Sequence, residues 1–571
     1  MKRAAYVVLV LVLVLSLHVD LASASSAVSH MNCVRSVVSV DARRKQVLWD
    51  LYVPPGVTKI VLDGAGSFPV AIPPEQLWKV RTGGAQFHGN TLELAATGER
   101  RVQLVMDVHR NRTVPDRTYA PFFLFSDGTI AVLSANFLVS KSSPVSLCVR
   151  YRAAPHDYVI GDGHAEQRVL SPPDSFRGYV AFGTPVIAKS GGLMIVVDRA
   201  SPPWLRQTVM QSLQRIAQFY SARLGLATLP TVFIFSRNDD EAHNAVHGDT
   251  LPGSISLQFS GNEWRQPGPH AVEQAIGVAA HEFFHVWNGG SRPDADSPET
   301  LLALEGSAEF ARIAALSHLH NQGEQIVLDG VSRALNRCIA ELPNHIPVAS
   351  VLAVRPGSVP YDCGMPFMLA VTSAAGHMGR KPISAFFAAW RRVLSSPSDL
   401  PYRWQTLLPA NAPTRLREDL ERAIAQPDAF LTTLGAVLHS EGYALVPERN
   451  LSPDARWMLG ARLMASLMAA DCNGGISFWT RRPTGFELSK PLPQCGSLRP
   501  GAMLTAILGE HPWVDPITLS QRVHETCAAQ HHVIVEYVGD PVPARVDCAH
   551  GVPILSGPVR IDITPEDLGR E

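Results

Sequence analysis

Two histidines and a glutamate near the middle of the chain have the types and the spacing of a metal site. The stretch reads His281-Glu282-Phe283-Phe284-His285, followed by Val286-Trp287-Asn288. On a helix, residues four apart lie one above the other, so both imidazoles can reach one cation while Glu282 stands beside them. This is the HExxH arrangement of zinc sites.

A helix is expected here on independent grounds. Gly268-Pro269 marks its start, residues 271–287 contain no proline, and Gly289-Gly290 marks its end. The alternative interpretation is a buried amphipathic helix whose histidines are satisfied by hydrogen bonds alone. A zinc site therefore requires a further ligand from elsewhere in the chain.

A carboxylate for the same cation is found in the next helical segment. Residues 301–310 have helical periodicity, and Glu305 stands there among mostly apolar neighbours, with 19 residues between it and His285. A lone carboxylate in such surroundings is costly to bury unless it is paired or bound to a metal. Two His and one Glu leave the fourth position to water, as in catalytic zinc sites. Glu309, one turn on, can accept a hydrogen bond from a ligand histidine, or it lies on the surface.

Together these stretches resemble the glycyl aminopeptidase family of gluzincin metallopeptidases, distant relatives of aminopeptidase N and thermolysin. The resemblance rests on residues 281–288, on Glu305-Gly306 and on Tyr361-Asp362-Cys363-Gly364. The Trp-Asn pair after the second histidine is the part that points to glycyl aminopeptidases. The resemblance implies a β domain, a thermolysin-like catalytic domain and a C-terminal PDZ domain, in that order.

The resemblance also implies a role for each site residue. It predicts Zn2+ held by His281, His285 and Glu305. Glu282 would act as general base and Tyr361 would donate to the oxyanion, on a peptide or protein substrate. The predicted function is zinc-dependent peptide hydrolysis by an enzyme that resembles an aminopeptidase.

The chain departs from the family pattern in two places. Relatives carry Tyr-x-Lys-Gly where this chain has Tyr361-Asp362-Cys363-Gly364. Relatives also carry Gly-Gly-Leu-Glu-His, whose Glu binds the substrate amine, and the counterpart in residues 253–257 places Ser256 at the acidic position. Two alternatives therefore stay open: an endopeptidase without an amine anchor, and a catalytically silent peptide-binding protein. The strand near residues 255–259 is expected to run beside the substrate backbone.

The rest of the chain predicts a multidomain α+β fold. We expect a signal peptide in 1–24, an N-terminal β-sandwich-like domain in 25–165 and an α+β domain in 166–445. The family resemblance implies that 166–445 is a thermolysin-like catalytic domain and that 446–571 is a PDZ-like domain. Alternating apolar residues predict strands over 47–53, 102–108 and 130–139. The region 166–445 is expected to add strands over 192–197 and 231–236 and a helix over 203–224, and the last domain a helix near 518–527 and a strand over 532–538.

Export and charge limit the partners. A basic start, an apolar run over 4–17 and Ala22-Ser23-Ala24 are typical of a signal peptide, so we expect a periplasmic or secreted protein. Residues 1–24 carry Lys2, Arg3 and Asp20, so their removal changes the formal net charge from -1 to -2. This balance argues against nucleic acid or an anionic membrane as partner, while oligomeric state stays open.

Eight cysteines lie beyond the signal segment, and an oxidising compartment allows them to pair. Pairing between sequence neighbours predicts bridges Cys33–Cys148 and Cys338–Cys363. The remaining four would form two further bridges in the C-terminal region: Cys472, Cys495, Cys527 and Cys548.

Overall fold

The structure is a computed structural model of the chain. It describes residues 33–63, 72–95, 100–108, 119–173, 176–225, 227–237, 245–289, 297–342, 346–354, 357–376, 381–395, 403–448, 451–472, 479–482, 484–488, 496–499, 501–540, 542–549, 551–555 and 557–563. The predicted signal peptide lies outside these residues. None of the helices in the described ranges is long and apolar enough to cross a membrane.

The described residues form strands and helices in the following order. The strands are β1 Cys33–Asp41, β2 Gln46–Val53, β3 Lys59–Val61, β4 Lys79–Val80, β5 Ala85–His88, β6 Thr91–Leu94, β7 Arg100–Asp107, β8 Phe122–Leu124, β9 Ile130–Leu133, β10 Ser146–Arg152, β11 Tyr158–Gly161, β12 His164–Glu166, β13 Val169–Leu170, β14 Tyr179–Gly183, β15 Val186–Ser190, β16 Leu193–Val197, β17 Thr231–Arg237, β18 Ala245–Leu251, β19 Ser254–Ser260, β20 Tyr443–Pro447, β21 Trp479–Arg482, β22 Gly485–Leu488, β23 Met503–Ile507, β24 His532–Tyr537, β25 Ala544–Asp547 and β26 Val559–Ile563. The helices are α1 Pro74–Leu77, α2 Pro203–Leu224, α3 Pro269–Asn288, α4 Pro298–Leu319, α5 Gln325–Glu341, α6 Val348–Val354, α7 Val359–Asp362, α8 Gly364–Gly376, α9 Pro382–Leu394, α10 Trp404–Leu407, α11 Thr414–Ala425, α12 Ala429–Ser440, α13 Pro453–Asp471 and α14 Pro516–Gln530.

The chain divides into two compact units, and the first is rich in β-structure. This unit comprises residues 1–206 and 229–266. One sheet has the order β13-β10-β1-β2-β7-β4 and a second has the order β12-β11-β14-β9-β8. Their facing side chains share one core, as a β sandwich requires. Strand pairing continues to Gly183, beyond the predicted boundary at 165.

The strand β9 shows why its sequence is apolar throughout. Ile130 and Val132 point into the sandwich core, while Ala131 and Leu133 point into a second core shared with β16 and β17. A strand buried on both faces shows no polar alternation. The predicted strand over 130–139 is too long, because the chain turns into a 3-10 helix at Ser134–Phe137.

A third sheet of the first unit has the order β15-β16-β17-β19-β18. The strand β19 pairs parallel with β17 on one side and antiparallel with β18 on the other. Both of its edges are therefore used, and β18 is the edge strand. This corrects the expectation that residues 255–259 run beside a substrate backbone, because an inner strand has no free edge to offer.

The second unit comprises residues 207–228 and 267–571 and is built mainly from helices. Its helix α3 matches the expected helix. The helix is capped by Gly289, which adopts the left-handed conformation (φ 71°) and donates its N–H to the backbone carbonyl of His285. Helix α4 begins at Pro298, in the first-turn position where proline is favoured, after the N-cap Ser297.

Two glycines let α4 and α8 touch through their backbones. A Cβ atom at Gly306 of α4 would lie 2.3 Å from the carbonyl carbon of Gly364, at the start of α8. Such a distance leaves no room for any side chain. The contact places Glu305 close in the fold to the segment that carries Tyr361.

The C-terminal part of the second unit contains a sheet of order β21-β22-β23-β24-β25. Helices α13 and α14 share one apolar core with this sheet. The expected helix and strand of this region are present as α14 and β24. The Gly-rich residues 474–478 of the predicted PDZ-like domain lie outside the described residues.

Three bridges join described cysteines, and all three agree with pairing between sequence neighbours. They are Cys33–Cys148, Cys338–Cys363 and Cys527–Cys548. Cys472 is also disulfide-bonded, whereas Cys495 lies outside the described residues.

The glycine contact generates a stability prediction. Gly306→Ala should lower the melting temperature by several degrees and reduce zinc retention, because overpacking costs roughly 1–3 kcal/mol or more and must separate α4 from α8. Gly323→Ala is the control, since a Cβ atom at Gly323 would meet nothing within 4 Å. Calorimetry and metal analysis of both variants check this. Equal melting temperatures would contradict the contact.

Candidate metal centre

Helices α3 and α4 bring the three predicted ligands together. The Nε2 atoms of His281 and His285 lie 3.2 Å apart, and Glu305 Oε2 lies 3.2 Å from the first and 3.5 Å from the second. Contacts pair residue 281 with 309 and residue 288 with 304, so the two helices run antiparallel. Among the described residues, this is the one group of three or more His, Cys, Asp or Glu side chains that could hold a metal ion.

The separations fit zinc. A tetrahedral ion with bonds of about 2.0–2.1 Å places its ligand atoms about 3.3 Å apart. Both histidines are only 6% exposed. Two imidazole nitrogens and a carboxylate oxygen form the donor set of catalytic zinc sites, which keep one further position open.

Each ligand histidine is oriented through its second ring nitrogen. His281 Nδ1 lies 2.9 Å from Glu309 Oε1, and His285 Nδ1 lies 2.8 Å from Asn288 Oδ1. Both partners accept hydrogen bonds, so each Nδ1 carries the proton and each Nε2 lone pair of the neutral ring points toward the third ligand. The expectation that Glu309 bonds a ligand histidine is confirmed.

Asn288 has a role that sequence reasoning did not assign. It is fully buried, and its Nδ2 donates to the Leu304 carbonyl at 2.9 Å, next to Glu305. One amide therefore connects a ligand histidine with the backbone of the helix that supplies the carboxylate ligand. The signal was available in part, because Asn288 belongs to the Trp-Asn pair on which the family resemblance rests.

Trp287 anchors the same end of α3. Its indole N–H donates to the Gly225 carbonyl at 3.1 Å, and its ring packs against Tyr220. Tyr220 in turn donates its hydroxyl to the Ala280 carbonyl at 3.0 Å, immediately before the first ligand. The end of α2 thus holds α3 at both ends of the ligand stretch.

Electrostatics favour positive charge at the centre. Burial lowers the pKa of His281, but hydrogen bonds with Glu305 and Glu309 outweigh burial and raise it to about 10 in the protein without a metal. Burial also lowers the pKa of His285, but Glu305 outweighs burial and raises it. Burial disfavours the charged form of Glu305, yet the two histidines hold its pKa well below its usual range. Arg312 has the same effect on Glu309, which it contacts at 2.7 Å.

The two predicted catalytic residues lie beside the ligands. Glu282 follows His281 on α3 and is 6% exposed. Tyr361 is 36% exposed, and its ring centroid lies 5.6 Å from that of His281. All five predicted site residues therefore lie in the second unit, around one centre.

Ser256, at the position of the expected amine anchor, belongs to the first unit. It is 1% exposed on the inner strand β19, and its hydroxyl donates to Asp249 Oδ2 at 3.2 Å. Asp249 lies opposite Ser256 on the edge strand β18, and His247 contacts the same carboxylate. Where an acidic residue was expected on β19, the acidic side chain is that of Asp249 on the neighbouring strand β18.

Comparison with known proteins shows the fold. No protein-family model matches the chain, and no curated protein matches it in sequence. The chain is similar to the crystal structure of an aminopeptidase N family protein from Idiomarina loihiensis, with 11% identity, coverage of 94% of this chain and 98% of that chain, and a TM-score of 0.59. The chain therefore shares the fold of that protein along almost its whole length.

Two further structures show weaker likeness. An M1 zinc metallopeptidase from Deinococcus radiodurans, bound to a Tyr-Ser-Ala substrate, has 13% identity over 71% of this chain and 93% of that chain, with a TM-score of 0.39. Yeast LTA4 hydrolase has 12% identity over 77% of this chain and 72% of that chain, with a TM-score of 0.42.

The role of Asn288 can be measured. Asn288→Ala should weaken zinc binding about 10- to 100-fold, because loss of the partner that orients a ligand histidine has that effect in metal sites. Competition with a chromophoric chelator at fixed pH checks this.

Asn336→Ala is the matched control for this measurement. Asn336 also joins a helix to a neighbouring backbone by two hydrogen bonds, but it bonds Val559 of β26 rather than a ligand. Its zinc affinity should be unchanged. An equal loss of affinity in both variants would show that Asn288 acts through general stability.

Proposed function

We propose that this chain is a zinc metallopeptidase. The observation that carries the proposal is the convergence of two Nε2 atoms and one carboxylate oxygen within 3.5 Å, on a helix that also presents the buried Glu282. The shared fold with an aminopeptidase N family protein supports it. His281, His285 and Glu305 would hold the ion.

The protein residues divide the hydrolytic work. A bound zinc ion supplies Lewis acidity, which activates water and polarises the scissile carbonyl. Glu282 accepts a proton from the attacking water and passes it to the leaving amine. The Tyr361 hydroxyl donates to the oxyanion, a contribution of about 3 kcal/mol for one such donor.

Three finer features belong to the same proposal. The specificity would be that of an aminopeptidase resembling glycyl aminopeptidases, on the resemblance at residues 281–288. The C-terminal sheet with α14 would be a PDZ-like module. The protein would be exported to the periplasm or secreted, which the disulfides support because such bonds persist in oxidising compartments.

The general base has a direct test. Glu282→Gln should lower kcat by at least about 1000-fold with zinc still bound, because the amide keeps the shape of the carboxylate but cannot take up the proton. The measurement is hydrolysis of a peptide library together with metal content. Glu273→Gln on the exposed side of the same helix should behave like the unmodified protein. Full activity of the Glu282 variant would refute this role.

Acetylation of the substrate separates the two peptidase alternatives. A free N-terminal peptide should be cleaved at least about 10-fold faster than its N-acetylated twin, because an aminopeptidase binds the ammonium as an ion and the amide carries no charge. Mass spectrometry of the products gives both the rate and the cleavage position. Equal rates with internal cleavage would establish an endopeptidase. Bound zinc without cleavage of either peptide would favour a silent peptide-binding protein.

A further inference from the structure

The short helix α7 carries Tyr361 but is too short to hold itself in place. It has only four residues, Val359–Asp362, and a single helical turn is unstable in isolation. Tyr361 itself is 36% exposed, and its ring lies 5.6 Å from that of His281. The residues on either side of it make contacts that fix where this helical turn lies.

Helix α5 is joined to those flanking residues by an ion pair, a disulfide and a hydrogen bond. Arg337 donates to Asp362 Oδ1 at 2.7 Å, and Cys338 forms the disulfide with Cys363. Two successive residues of α5 thus hold the two residues that follow Tyr361. One turn further along, Glu341 accepts a hydrogen bond from Ser358, which precedes α7. We call these six residues the α5 clamp: Arg337, Cys338, Glu341, Ser358, Asp362 and Cys363.

Half of the α5 clamp is buried. Both cysteines are fully buried and Asp362 is only 6% exposed, whereas the Arg337 side chain is 42% exposed. Burial raises the pKa of Asp362, and the Arg337 guanidinium opposes part of that rise. The disulfide and the hydrogen-bonded ion pair each fix the distance between α5 and the segment that carries Tyr361.

The helix behind the α5 clamp is itself fixed. On its other side, Ser332 accepts from the Ile561 backbone N–H at 2.9 Å, and Asn336 exchanges two hydrogen bonds with Val559. The strand β26 therefore anchors α5. Helix α5 is thus bonded to β26 on one side and to the segment around Tyr361 on the other. A catalytic group is positioned by rigid neighbours of this kind.

We propose that the α5 clamp is a positioning device for Tyr361, which holds its hydroxyl at the oxyanion beside the metal centre. This proposal rests on the proposed function for its kinetic consequence. Arg337 and the Cys338–Cys363 bridge act through Tyr361 and do not touch the substrate. Their contribution belongs in kcat and disappears when the Tyr361 hydroxyl is absent.

A double-mutant cycle tests the proposal. Cys338→Ser/Cys363→Ser should lower kcat about 10- to 100-fold with KM within about twofold, because small displacements of a catalytic group have effects of this size. In a Tyr361→Phe background the same change should lower kcat by less than about twofold. Equal losses in both backgrounds would overturn the proposal, because a merely structural effect does not depend on the hydroxyl.

The chain offers matched controls. Cys527→Ser/Cys548→Ser removes a bridge with a sequence separation of 21, against 25 for the bridge of the α5 clamp, and should leave kcat unchanged. Where the disulfide variant fails to fold, Arg337→Gln/Asp362→Asn is used, since it removes both charges of the pair together. Arg337→Lys should recover part of the activity lost in Arg337→Gln. An effect of the control bridge equal to that of the clamp bridge would overturn the proposal.

A spectroscopic readout separates this proposal from the proposed function. With 3-fluorotyrosine in place of Tyr361, fluorine-19 NMR of the zinc-loaded protein should give one resonance. That resonance should broaden or shift when the α5 clamp is cut and stay unchanged when the control bridge is cut. Absence of hydrolysis by the unmodified protein would refute the proposed function alone. An unchanged resonance after cutting the α5 clamp would refute the positioning role.

Discussion

The candidate metal centre depends on the balance of charge around the buried side chains of His281 and His285. Three carboxylates lie there, from Glu282, Glu305 and Glu309, and the guanidinium of Arg312 contacts Glu309. With neutral imidazoles these four charged groups sum to a net charge of about -2, which favours a divalent cation. The same carboxylates favour the protonated form of His281: burial lowers its pKa, but the hydrogen bonds with Glu305 and Glu309 raise it to about 10. The site is therefore built around positive charge.

Holding these groups together requires unusually close backbone packing. The carboxylate ligand must come from a second helix, since α3 supplies only the two histidines and the base. The Gly306–Gly364 contact lets α4 approach the start of α8, and Asn288 fixes α3 to the carbonyl before Glu305. The same contact brings the Tyr361 segment to the centre. One packing requirement thus positions both the predicted ligand Glu305 and the predicted oxyanion donor Tyr361.

Local sequence predicted the parts of the site but not the connections between them. The helices α2 and α3 and the ligands were predictable, because helix periodicity, capping residues and HExxH spacing are local signals. The role of Asn288 was not predictable, because nothing in the sequence shows that its side chain bonds both His285 and the Leu304 carbonyl. Likewise, the end of β9 depends on a 3-10 turn, and the inner position of β19 depends on pairing with β18, which precedes it. Register and tertiary contact are properties of the folded chain.

The burial of Glu282 bears on whether the centre is catalytic or silent. A silent metal site needs only its ligands and the partners that orient them, which here are Glu309 and Asn288. A further buried carboxylate, that of Glu282, adds a desolvation cost. That cost has a reason under the proposed function, in which the carboxylate carries a proton from water to the leaving amine. The same reasoning applies to the α5 clamp, because three contacts of α5 hold the segment on both sides of Tyr361, whose ring lies beside the predicted ligand His281.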